Sequence, residues 1–272
     1  MINVFLALVE KTKKSKTLVV LLVLSVLLPF ANVLLYYALA FFLAETEAIS
    51  LDMAIDALGF DGRLQIAEIS ATGTAGLLSM IAIAILLGGE LSSGTIKNAI
   101  TANKSRTQIF GAYSLFGLCS SVVITLLYYF VSLIATSIFF GYGAYSWPSE
   151  ISVILTVVVL DVFVSWQVSS LCVLCVFLLK KSAKAWAFFM PLFILTGVSV
   201  VVELLASAFI QIDPVSGALS FESWVGWLPT MQPALLANSF TSELALKCVA
   251  SSAFFATITT ALSYLSIRKA DF

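Results

Sequence analysis

The chain has 272 residues, 61% of them hydrophobic and only 11% charged, with a net charge of −1 and a mean hydropathy of +1.07. A soluble domain carries about 25% charged residues, so this chain has too few polar side chains to cover a water-facing surface and reads as an all-α integral membrane protein. The near-neutral charge excludes a bulk basic field for nucleic acid. The absence of His excludes imidazole acid–base chemistry, His metal ligands and His-based pH switching.

In chain order, residues 1–16 place Ile2, Phe5, Leu6 and Val9 at helical spacing with lysines after them. This predicts a short amphipathic helix lying on the membrane surface. The apolar run from Leu18 to Leu43 is 26 residues long, longer than the apolar region of a signal peptide, and reads as a retained anchor. A bilayer crossing needs about 20 mostly apolar residues. Six runs qualify, at about 18–43, 69–88, 110–140, 151–179, 185–207 and 244–266. Pro29 and Pro191 fall inside the first and fifth, where each predicts a kink. Residues 208–242 carry Pro214, Pro229, Pro233, Trp224 and Trp227 with few charges. Short helices dipping into the outer leaflet and an ordinary interfacial loop both fit that composition. No second folded domain, internal repeat or low-complexity linker stands out, so residues 1–272 read as a single transmembrane domain.

Lys and Arg set the orientation. The N-terminal segment holds Lys11, Lys13, Lys14 and Lys16; the link after the second run holds Lys97, Lys104 and Arg106. The link after the fourth holds Lys180, Lys181 and Lys184, and the C-terminus Arg268 and Lys269. That places 12 of the 14 basic residues on one side, which becomes the cytoplasmic side of six spans with both termini inside. The link after the first run is acidic instead, with Glu45, Glu47, Asp52, Asp56, Asp61 and Glu68.

The polar stretch 89–109 interrupts two greasy runs on the basic side. The second run stops at Gly88 and Gly89, and Glu90 follows. Ser93 or Thr95 can cap a short helix that puts Ile96, Ala99 and Ile100 on one face, with Lys97 elsewhere around it. Ser105, Arg106, Thr107 and Gln108 form a capping box that opens the third span. The small apolar face can fill a groove on a soluble partner; equally, the stretch can be a plain turn whose basic residues enforce topology.

Asp161 lies inside the fourth run, about 15 Å along the helix from its outer end, with Ser165 one turn further on. An acid at that depth must face protein or water. It either lines a substrate path or a dimer contact, or is satisfied by helix-packing partners. Cys172 and Cys175 have CxxC spacing, but a zinc site needs two further ligands and the chain has no His, so they read as apolar packing residues. There is no GxxxxGK[ST], GxSxG or HExxH string, so nothing argues for catalysis or P-loop ATP binding on this chain.

The order Glu90, then Ser93-Gly94-Thr95-Ile96-Lys97-Asn98, then Ser105-Arg106-Thr107 resembles the cytoplasmic loop of ABC-2 type transporter permeases. The ending Ile267-Arg268-Lys269-Ala270-Asp271-Phe272 and the Leu228-Pro229-Thr230 of the last outer link are also similar to that family, although Gln108 stands where a further basic residue is common. The likeness spans the chain by architecture and some 20 residues by motif. It implies an ABC-2 permease-like fold of six transmembrane helices behind an N-terminal interfacial helix, in a bacterial plasma membrane. It makes 89–109 a coupling loop in which Glu90, Gly94, Thr95, Ile96, Lys97, Asn98, Ile100 and Arg106 dock an ATPase. The implied partners are a P-loop ATPase subunit, which carries the ATP and Mg, and a second permease chain, identical or homologous. The implied cargo is a peptide, lipid-linked, drug-like or other amphiphilic compound. The alternatives are a secondary transporter or channel working alone, or a membrane assembly or scaffold protein.

Overall fold

The computed structural model describes residues 2–47, 50–58, 73–93, 95–96, 105–140, 147–179, 191 and 242–269. Among them there are helices and no strands. The helices are α1 (Ile2–Lys13), α2 (Lys16–Thr46), α3 (Leu51–Leu58), α4 (Thr74–Ser92), α5 (Arg106–Phe139), α6 (Trp147–Leu179) and α7 (Ser242–Lys269). In hydrocarbon, backbone N–H and C=O groups find no water, and a helix satisfies them within one segment. That is why apolar runs of this length adopt no other form.

Four helices are long and apolar enough to cross a membrane, within Lys16–Thr46, Arg106–Phe139, Ile151–Leu178 and Ser242–Arg268. They mark a membrane protein and correspond to the first, third, fourth and sixth predicted spans. The second predicted span is an apolar helix of lesser length, Thr74–Glu90 within α4. The fifth, 185–207, lies outside the described residues except for Pro191, and so does the 208–242 segment except for Ser242.

Boundaries differ from the sequence reading where caps decide them. Ser15 caps α2 by accepting from the Thr17 N–H at 3.3 Å, and the helix runs unbroken through the buried Pro29. Gly88 and Gly89 do not stop α4, which continues through Glu90 to Ser92. Two glycines cost about 1 kcal/mol each in a helix, too little to end one that is otherwise well packed. An element absent from the sequence reading is α3. Ser50 caps it, accepting from Met53 N–H at 3.3 Å, and it packs on α2 with Ala54 fully buried. The spacing of Leu51, Ala54, Ile55 and Leu58 is the signal that foretells it.

At the centre stand α5 and α6, which pack on one another; α4 lies against both, α2 against α5, and α7 mainly against α6. Gly117 on α5 is a point of close approach between helices. A Cβ there would lie 3.4 Å from Val173 of α6 and 3.6 Å from Leu87 of α4. In α2 only 22% of the most apolar window is buried, against 44% in α6, so α2 is peripheral. Its exposed Val19, Leu27, Leu35 and Phe42 suit a lipid-facing surface.

Candidate functional site

Of the residues singled out by the sequence, Glu90, Thr95, Ile96 and Arg106 lie at the end of the bundle where α1 and α4 finish, α5 begins and α7 finishes. α1 forms as expected but faces differently. Leu8 is buried, Val4, Phe5 and Val9 pack against the core, and Phe5 meets Phe116 of α5 edge-on at 6.5 Å. Ile2 and Leu6 point outward, 67% and 53% exposed. The inward face is therefore set by α5 and not by the moment of the helix alone.

Glu90, in the last turns of α4, accepts an ion pair from Lys11 of α1, Nζ to Oε1 at 2.6 Å. The glutamate side chain is only 12% exposed and the lysine 57%. The other oxygen, Oε2, is buried without a hydrogen bond. Sequence reasoning named Glu90 but missed Lys11, because a partner 79 positions away leaves no local signal. Beyond Glu90, Ser93 Oγ bonds the Glu90 carbonyl at 3.0 Å and lies 2.8 Å from Thr95 Oγ1. Thr95 is half-buried and Ile96 is buried, 1% exposed. Ile96 belongs to the cluster that also holds Leu8, Ile109 and Ile267. Ile96, one of the docking residues that the resemblance implies, is thus turned into the bundle, where burying a β-branched aliphatic is favourable. Gly94, Lys97, Asn98 and Ile100 lie outside the described residues.

Ser105 caps α5 as the capping box requires, accepting from Gln108 N–H at 3.2 Å. The exposed Gln108 side chain makes no return bond. Arg106 reaches the end of α7, donating from Nη1 to the carbonyl oxygen of Arg268 at 2.8 Å and of Ile267 at 3.5 Å. The last carbonyls of a helix have no intrahelical donor and carry partial negative charge, so a guanidinium is a natural cap. Thr107 Oγ1 and Tyr264 OH lie 3.4 Å apart, and Phe110 packs against both Tyr264 and Phe177, with centroids at 5.6 and 6.3 Å. Elements far apart in sequence are thus tied together at this end: α1 to α4, the following link to the core, and α5 to α7.

Asp161 sits elsewhere, in mid-bundle on α6, and is fully buried. Ser165 donates to its Oδ1 at 3.3 Å, and Ser165 Oγ lies 3.2 Å from Thr125 Oγ1 on α5. Oδ2 is buried without a partner. Asp161 therefore lies inside this chain, on no exposed face. Cys172 and Cys175 are buried and unpaired, as packing residues are. Among the described residues there is no group of His, Cys, Asp and Glu that could hold a metal ion. No known family model, curated protein or solved structure matches this chain.

Proposed function

We propose that this chain is the membrane-spanning permease subunit of an ATP-driven ABC transporter of the ABC-2 type, an exporter of an amphiphilic, peptide or drug-like cargo. It works as one of two permease chains, identical or homologous, with two P-loop ATPase subunits that bind the ATP and Mg. Its place is the bacterial plasma membrane, with six spans and both termini in the cytoplasm. One observation carries the reading: the string from Glu90 to Thr107, with its "SGTIKN" and "SRT" elements, between α4 and α5 on the basic side of the chain.

In this reading the ATPase grips the loop through Lys97, Asn98 and Ile100. Ile96 is then the root and not the contact: buried in the bundle, it passes the push of the closing ATPase pair into the core. Lys11 and Glu90 carry part of that push to α1, whose exposed Ile2 and Leu6 rest in the inner leaflet. Arg106 carries another part to the end of α7. The cargo moves between the two permease chains.

The test is co-expression with the genes that neighbour its own, among which this reading expects a P-loop ATPase. The ATPase co-purifies with the wild-type chain, and Ile100→Asp with Lys97→Glu abolishes the association while leaving the permease monodisperse. A chain that purifies alone and transports down an ion gradient sinks the reading. That rival, a secondary carrier, has one observation in its favour, the buried acid Asp161 with an unpaired Oδ2.

A further inference from the structure

The polar groups between α5 and α6 are short of one hydrogen. Asp161 stands near the middle of α6 and is fully buried. A line of oxygen–oxygen contacts leads away from it. Its Oδ1 is 3.3 Å from Ser165 Oγ, and Ser165 Oγ is 3.2 Å from Thr125 Oγ1. Thr125 Oγ1 is in turn 2.9 Å from the carbonyl oxygen of Ser121 and 3.3 Å from that of Val122. An oxygen–oxygen separation does not say which atom carries the hydrogen. The line ends on backbone carbonyls, which only accept, so Thr125 points its hydrogen there. Ser165 then has a single hydrogen for Thr125 on one side and Asp161 on the other. With an ionised Asp161, one of those contacts sets acceptor against acceptor. A hydrogen on Asp161 completes the line: carboxyl to Ser165, Ser165 to Thr125, Thr125 to Ser121.

The neighbouring helices bring no countercharge to this level. The charged residue of α5 is Arg106, at its start, nineteen positions from Thr125 or about 28 Å along the axis. That of α4 is Glu90, paired with Lys11. On α7, Lys247 pairs with Glu243 at 2.7 Å, and Arg268 and Lys269 stand at the other end. α6 itself adds only an acid, Glu150. The buried phenols of Tyr113, Tyr128 and Tyr129 and the buried thiols of Cys172, Cys175 and Cys248 can bring no positive charge. Among the described residues no cation pairs with Asp161, and its Oδ2 is buried without a hydrogen bond. For a carboxylate that is an uncompensated charge. For a carboxylic acid it is one unmade bond at a carbonyl oxygen, a far smaller cost.

We propose that Asp161 is a proton-binding site: at neutral pH it holds a proton and, as a neutral carboxylic acid, donates through Ser165 and Thr125 to tie α6 to α5. The assignment involves these two helices alone, so its failure leaves the permease reading where it stands. The full chain is made with aspartate carrying the heavy carbon isotope in its side-chain carboxyl and reconstituted in nanodiscs. Its infrared absorption is read at about pH 7, where exposed aspartates are ionised. The wild-type chain shows the carbonyl stretch of a neutral carboxylic acid at the labelled position, which separates it from Glu90 and the other glutamates. Asp161→Asn removes that band. If this variant does not fold, Asp161→Glu replaces it, because it keeps the acid but carries it out of the label. Ser165→Ala takes away the acceptor and moves the band to higher frequency, as in a carboxyl without a hydrogen bond.

A wild-type chain with no such labelled band overturns the proposal, as does a band that survives the loss of Asp161 or ignores Ser165→Ala. So does a band that appears only when choline replaces sodium in the buffer, because a sodium ion would then be the ligand.

Discussion

The basic end of the bundle and the Asp161 level of α5 and α6 both set polar groups against neighbouring helices, yet they satisfy them in opposite ways. At the basic end the partners come from different elements: Lys11 to Glu90, Arg106 to Arg268, Thr107 to Tyr264. At mid-bundle, hydroxyls mostly bond their own helix. Thr125 donates to the carbonyl of Ser121 at 2.9 Å, and the same self-bonding recurs along the helices, in Thr136 to Ser132 at 2.8 Å and Ser263 to Thr259 at 2.7 Å. Water near the end lets long charged side chains find distant partners at small desolvation cost. Deep in the bundle no such exchange is available, so each helix satisfies itself and adds only an occasional cross-link such as Thr125 to Ser165. Directional contacts therefore hold the end in register, while shape and dispersion hold the middle.

Substitutions break or sharpen this contrast. Ile96→Asp has the largest effect, because it sets an unpaired charge at a buried position of the apolar cluster. It costs at least about 3 kcal/mol, seen as loss of a monodisperse species in detergent and of the thermal transition. Next comes Arg106→Gln, which strips the guanidinium from the carbonyls of Ile267 and Arg268 and costs about 1.5 kcal/mol. Hydrogen exchange should quicken in the last turn of α7 and stay unchanged in α4.

The ion pair of α1 is asymmetric. Lys11→Gln leaves the mostly buried Glu90 without its cation and costs about 1 kcal/mol, whereas Glu90→Gln, which removes the buried charge, costs less. A double-mutant cycle followed by thermal melting separates the two, and equal losses would mean that the pair behaves as an ordinary surface contact. The smallest effect is at mid-bundle. Thr125→Val removes a hydroxyl whose partner Ser165 still donates to Asp161, and it shifts stability by about 0.6 kcal/mol. A loss as large as that of Arg106→Gln would show that the middle, too, depends on directional bonds.

The ends of helices were legible where a cap marks them: Ser105 placed the start of α5 within the sequence. The fourth run was read from 151, whereas α6 begins at Trp147 with Pro148 in its first turn, where proline is favoured. Ends were not legible where only glycine was offered as a stop: α4 passes through Gly88 and Gly89 because packing outweighs propensity. The site was half legible. Glu90, Ile96 and Arg106 drew notice as members of a motif, but the motif carries no information about which way a side chain points. That Ile96 is buried in the apolar cluster is a tertiary fact that the motif does not carry.

By itself the sequence determined that this is a helical membrane protein with a basic side, because hydrophobic run length and charge placement are local properties that a bilayer reads directly. Only the tertiary structure decided that Lys11 answers Glu90, that Arg106 caps α7 and that Asp161 is sealed between α5 and α6. Each of these depends on which helices lie side by side, and contacts across tens to more than a hundred residues have no period or spacing to betray them.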